Sequence, residues 1–262
     1  MANLEGSFVW YELMTPDPKA AEVFYGKVAG WGLVDAGHPA MRYTLACLGE
    51  HRLAGIMAMP EAMQAEGCRP GWIGYVAVAD VDAKAAEAER LGGQVVRAPD
   101  DIPEIGRFAV IADPQGAKLV LFRGNGAPPP RPAPGTPGLF GWHELYATDW
   151  PAAFAFYEAL FGWTKGQAIA IGPMGIYQLF HAPDAPAEGM ATGGMMSLSS
   201  PPAPFWLYYI VAGEIEAAAG RIRAHGGAIL NGPMEVPGGM WIVQAADPQG
   251  ANFAVVGPRA GA

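Results

Sequence analysis

The chain has 262 residues, about half of them apolar, enough to bury a sizeable core as one large domain or two of ordinary size. Its 25 acidic residues against 16 basic ones, a formal net charge of −9, leave no basic stripe to displace counterions from phosphates, which argues against nucleic acid as a partner. Two cysteines, Cys47 and Cys68, are too few for a disulfide framework and make no C-x-x-C pair, so they read as reduced thiols.

In chain order, MANLEGSFVW lacks the basic stretch and apolar core of a secretory leader, and no apolar run reaches the roughly 18 residues that span a bilayer. A cytoplasmic protein that does not engage a membrane is expected. VWYELM has strand character. TPDPKAAEVFYGKV opens on turn and cap residues and then places Ala21, Phe24, Tyr25 and Val28 at helical spacing, with Gly30 as the stop. MRYTLACLG, LAGIMAM and GWIGYVAVAD read as strands. DVDAKAAEAERLGG reads as a second helix, capped by Asp80 or Asp82 and stopped at Gly92. QVVRAP, FAVIAD and KLVLFR follow as strands, and DPQG between the last two fits a type I turn.

GNGAPPPRPAPGTPG has no hydrophobic period and reads as a stiff linker. Beyond it the chain repeats. FVWYELMTPDPKAAEVFYGKVAGW from Phe8 aligns without a gap to FGWHELYATDWPAAFAFYEALFGW from Phe140, and DPQG recurs at Asp113 and Asp247. The organisation predicted is a first domain over 1–123, a linker over 124–138 and a second domain over 139–262, each domain written as βαβββ twice over.

The order strand, D-x-x-x-A-x-x-F-Y-x-x-x-x-G-W, DVDA-helix-GG and DPQGA, present twice, resembles the vicinal oxygen chelate superfamily. That group holds glyoxalase I, bleomycin-resistance proteins and extradiol dioxygenases. The resemblance implies an α+β fold in which four βαβββ modules form two cupped mixed sheets, with helices on the convex face and the ligand or metal in the hollow. It also implies where metal ligands would fall. The first-strand position, seven residues before the Asp that opens the helix, holds Trp10 and Trp142. The last-strand position, four after DPxG, holds Val120 and Ala254, and the opening strand of the second modules offers Ile73 and Leu207. None of these is a nitrogen or oxygen ligand, so no metal and no other cofactor is expected.

Strand alternation sends Trp10, Glu12 and Met14 to the inner face and Tyr11 and Leu13 to the helices; in the second copy Trp142, Glu144 and Tyr146 point in, while His143 and Leu145 point out. His143 and Glu144 are then poorly placed to share an ion. Tyr75 and Tyr209 share the inner face with the two tryptophans, whereas Trp72 and Trp206 are expected at the rim. Tyr43 and Tyr177, on MRYTLACLG and IYQLFH, complete a ligand-facing set of Trp10, Glu12, Tyr43, Tyr75, Trp142, Glu144, Tyr177 and Tyr209. Arg107 is expected as a solvated residue near the mouth. A carboxylate in an apolar hollow is costly unless it is paired, so Glu12 and Glu144 read either as structural acceptors or as anchors for a ligand. The expectation is a metal-independent binding protein for an aromatic or cationic small molecule, monomeric or a homodimer; the alternative is a metal-dependent glyoxalase-like lyase or isomerase, or a dioxygenase-type enzyme.

Overall fold

The computed structural model describes residues 4–37, 41–126, 131–183, 185, 190–198 and 203–261. The first repeat runs β1 (Phe8–Thr15), α1 (Pro18–Val28), β2 (Gly32–Asp35), β3 (Tyr43–Leu48), β4 (His51–Ala58), α2 (Glu61–Ala65), β5 (Gly71–Ala77), α3 (Val81–Arg90), β6 (Gln94–Ile102), β7 (Gly106–Ala112) and β8 (Lys118–Gly124). The second runs β9 (Phe140–Ala147), α4 (Trp150–Phe161), β10 (Thr164–Ala170), β11 (Ile176–His181), β12 (Gly193–Ser197), β13 (Phe205–Val211), α5 (Ile215–Ala224), β14 (Ala228–Val236), β15 (Met240–Ala246) and β16 (Asn252–Gly257). These form two curled mixed eight-stranded sheets, ordered β2-β3-β4-β1-β5-β8-β7-β6 and β10-β11-β12-β9-β13-β16-β15-β14. The expected βαβββ grammar is present four times, and α2 is an addition that the periodicity did not mark. Among the described residues no helix is long and apolar enough to cross a membrane.

Local chemistry sets the helix ends. The Asp17 carboxylate accepts from Ala20 N at 3.0 Å and Asp149 from Ala152 N at 3.2 Å, each followed by proline in the first turn. Asp80 rather than Asp82 caps α3, accepting from Ala83 N at 3.0 Å. In both DPQG turns the aspartate holds two amides: Asp113 accepts from Gln115 N and Ala117 N, and Asp247 from Gln249 N and Ala251 N, at 2.8 to 2.9 Å.

The chain divides into two compact units, and the division does not follow the repeat. It falls inside β1, β5, β9 and β13, after Val9, Trp72, Gly141 and Trp206. One unit takes β6–β8 and α3 from the first repeat with α4 and β10–β12 from the second. The other takes α1 and β2–β4 with α5 and β14–β16. The duplicated motifs bond across the repeats within these units. Tyr157 of α4 donates to Asp113 Oδ2 at 3.0 Å and accepts from Trp206 Nε1 at 3.2 Å. Tyr25 of α1 donates to Asp247 Oδ2 at 3.2 Å and accepts from Trp72 Nε1 at 2.9 Å. Trp72 and Trp206, expected at the rim, are therefore interior, 8% and 6% exposed. The sequence pattern showed them only at strand starts; an indole N–H facing a buried phenol is a tertiary event.

Two further pairs repeat this exchange. Trp163 donates to Gly6 O and Trp31 to Gly138 O, both at 2.7 Å. Gly138, the last residue of the predicted linker, is thus buried and bonded, and it also donates to Val211 O. Residues 127–130 of that linker lie outside the described residues. At the helix C-termini, Lys84 donates to Leu160 O and Arg221 to Val28 O, cations placed where the carbonyl dipoles leave partial negative charge.

Candidate functional site

The burial of β1 alternates along Tyr11 to Thr15: Tyr11, Leu13 and Thr15 are buried, while Glu12 and Met14, with Trp10 before them, are half-buried. Trp10 and Glu12 therefore share a face, and β3, two strands away, brings Tyr43 to them. Trp10 Nε1 donates to Tyr43 Oη at 3.2 Å, and Tyr43 Oη donates to Glu12 Oε2 at 2.9 Å. Tyr43 can reach because the strand between has no side chain in its path. Gly55 of β4 pairs with Glu12 on one side and Leu45 on the other, and a Cβ there would sit 1.9 Å from the Tyr43 hydroxyl. A glycine inside a strand marks close approach of another group.

The second repeat builds the same triad in the other unit. Trp142 Nε1 donates to Tyr177 Oη at 2.8 Å, and the Tyr177 hydroxyl bonds Glu144. Gly194 of β12 pairs with Glu144, and a Cβ on it would lie 2.3 Å from the Tyr177 ring. Burial, then the neighbouring carboxylate, pushes the Tyr43 and Tyr177 phenols well above their ordinary value. Both stay protonated at neutral pH and act as donors to the glutamates.

Six of the eight ligand-facing residues expected from the sequence thus fall into two triads. The other two have partners of their own: Tyr75 packs edge-on against Phe122 at 5.8 Å, and Tyr209 Oη accepts from Gln244 Nε2 at 3.0 Å. Sequence reasoning missed Gly55 and Gly194, whose signal was a glycine in the middle of an apolar strand. Arg107 lies at the surface, partly exposed, and pairs there with Asp82 at 2.6 and 2.8 Å and with Asp101 at 2.9 Å.

His143 faces away from the triad and is 6% exposed. Its ring stacks on Phe8 with centroids 3.9 Å apart and planes 7° apart, and Nδ1 donates to Thr192 O at 2.7 Å. In the other unit the equivalent contact is Tyr11 on Phe140, at 3.8 Å and 22°. His143 takes the place of a packing tyrosine, and its backbone neighbour Glu144 points to the opposite face.

Family models match both repeats: the glyoxalase-like domain over residues 10–122, and the glyoxalase/bleomycin resistance protein/dioxygenase superfamily over residues 139–255. The chain belongs to the vicinal oxygen chelate superfamily. Among its relatives in that superfamily is the Mycobacterium tuberculosis protein CFP32, provisionally named a glyoxylase, 34% identical over 261 residues that cover 97% of this chain and 95% of that protein. The anthracycline biosynthesis protein DnrV of Streptomyces peucetius is 30% identical over 268 residues, covering 98% and 94%. Among solved structures, the Mn(II)-bound glyoxalase of Novosphingobium aromaticivorans has a TM-score of 0.67 at 16% identity, over 98% of this chain and 83% of that one. A homoprotocatechuate 2,3-dioxygenase variant from B. fuscum, in complex with HPCA, has a TM-score of 0.67 at 16% identity, over 95% and 70%. At that identity the likeness is one of fold.

The Mn(II)-bound glyoxalase raises the question of whether this donor set fits a metal ion. Each triad supplies one carboxylate, one phenol held protonated and one indole N–H that can only donate. Among the described residues no three His, Cys, Asp or Glu side chains come together. A divalent ion needs several converging oxygen, nitrogen or thiolate ligands, so the residues present do not fit it and no step is drawn through a metal.

Proposed function

We propose that the protein binds a planar, hydrogen-bond-donating or cationic small molecule without a metal, on a Trp–Tyr–Glu triad. The observation that carries this reading is how each triad spends its hydrogens. The indole N–H goes to the phenol and the phenol O–H goes to the carboxylate. What the triad then presents is a negative, accepting centre beside an indole face, which suits an aromatic ring bearing an amine. It does not suit glyoxalase-type chemistry, where the enediolate oxygens that develop need donors or a Lewis acid. The relatives named for anthracycline biosynthesis are named for a class of fused planar rings, which supports the same ligand shape.

Fluorescence titration and thermal shift test this with proflavine, a planar tricyclic cation with exocyclic amines, against anthracene-2-sulfonate, a planar anion. Proflavine is expected to bind and raise the melting temperature. Glu12→Gln is expected to weaken it at least about tenfold, the loss of roughly 1.4 kcal/mol. The anion is expected to bind far more weakly. Equal binding of the anion, or no binding of the cation, overturns the reading. Elemental analysis of protein purified without chelator tests the metal-free part: a stoichiometric transition metal removes it.

A further inference from the structure

The two triads share a geometry but not their surroundings, and the difference bears on how many ligands one chain takes. In the second repeat Tyr146, two residues past Glu144 on the same face of β9, stacks on Phe205 at the start of β13, with centroids 5.0 Å apart and planes 23° apart. Glu144 beside it is only 6% exposed. The repeat alignment places Met14 where Tyr146 stands and Gly71 where Phe205 stands. A Cβ on Gly71 would meet no atom within 4 Å, so this part of the first repeat is open space. Met14 pairs in register with Met57, and Met57 with Tyr43. Two thioethers therefore border the first triad, and an unbranched, polarisable side chain moulds itself to what it meets. Glu12 stays half-buried.

We infer that one ligand binds per chain, on Trp10, Glu12 and Tyr43, with Met14 and Met57 as an adaptable apolar wall, and that the second triad is closed by the ring pair Tyr146–Phe205. This inference rests on the binding reading above and deepens it. The ligand class that fits is a planar aromatic cation with its ring against Trp10 and the thioethers and its amine toward Glu12. The second triad keeps its internal hydrogen bonds and serves the sheet.

Isothermal titration of the full chain with proflavine reads the number of sites. One site per chain is expected, weakened at least about tenfold by Glu12→Gln. The double variant Y146M/F205G, which gives the second repeat the residues of the first, is expected to take two. Two equivalent sites in the unaltered protein overturn the inference and leave the binding reading standing. A single site that survives Glu12→Gln, or a folded Y146M/F205G that still takes one, overturns it as well. No binding by the unaltered protein overturns the binding reading and this inference with it. The count on the unaltered protein does not depend on any variant folding.

Discussion

The two repeats descend from one plan, and they differ most at the positions that surround a shared framework. Tyr25 with Asp247 and Tyr157 with Asp113 are the same contact made twice, as are the two triads and the two Trp-to-Gly bonds. Elsewhere one repeat has solved a problem that the other leaves open. Gln115 Oε1 accepts from Thr148 N, Thr148 Oγ1 and Asp149 N, and its Nε2 donates to Asp149 O, tying down the start of α4. Its counterpart Gln249 has Oε1 buried without a partner. The residue equivalent to Thr148 is Pro16, which offers neither an amide hydrogen nor a hydroxyl. Both halves keep the phenol–carboxylate pair, and one does without the loop clamp.

The comparison can be broken in four ways. The largest effects are expected at the tyrosines. Tyr25→Phe and Tyr157→Phe each remove a donor to a buried aspartate and an acceptor for a buried indole, so each should cost about 1–3 kcal/mol by chemical denaturation. Losses that differ by more than a factor of about 2 would break the claim that the pairs are equivalent. Next, Gln115→Ala should cost about 1–2 kcal/mol, while Gln249→Ala should cost under about 0.5 kcal/mol, because an unpartnered amide oxygen loses nothing when it is removed. Equal losses would show that the Pro16 explanation is wrong.

A pH series sharpens the same pairing. Burial pushes the Asp113 and Asp247 carboxyls above their ordinary value, although backbone amides and the tyrosine hydroxyls pull the other way. The folded state then holds these protons more tightly than the unfolded chain does. The stability they contribute is full below the ordinary aspartate value and is lost as the pH rises through the raised one. Between about pH 3 and pH 7 the unaltered protein should therefore lose stability relative to D113N/D247N, read as the difference in denaturation midpoints. A difference that is flat or of opposite sign would contradict the assignment.

The smallest effect concerns a charge that changed position. Arg107 clamps Asp82 to Asp101 in the first repeat, and its counterpart is Trp241. There Arg259 lies over the Trp241 ring at 4.3 Å and pairs with Glu216, the counterpart of Asp82, at 2.6 Å. These groups are partly exposed, so Arg107→Ala and Arg259→Ala should each move the denaturation midpoint only slightly. Of the two, Arg259→Ala should also shift the tryptophan emission, since Arg259 sits on an indole and Arg107 is held by carboxylates.

Much of this was legible in the chain. Alternation along β1 and β9 separated Trp10 and Glu12 from Tyr11, and Glu144 from His143, because a strand's side-chain period is two whatever surrounds it. The aspartate caps, the DPQG turns and the duplication were equally plain, being local in sequence or repeated in it. The rims assigned to Trp72 and Trp206 were not borne out, since each indole is fixed by a phenol, some 47 and 49 positions away; Arg107 is at the surface, but its pairing with Asp82, 25 positions away, was not legible.

By itself the sequence determined the four modules, the faces of their strands and the family to which they belong, for these follow from periodicity and short-range chemistry. Only the tertiary structure decided that each Tyr bonds the other repeat's Asp, that Tyr43 and Tyr177 lie across a glycine to reach a carboxylate, and that Tyr146 meets Phe205 where Met14 and Gly71 leave room. Such contacts join residues tens to hundreds of positions apart, and no local rule sets which of many apolar or polar neighbours a side chain will find.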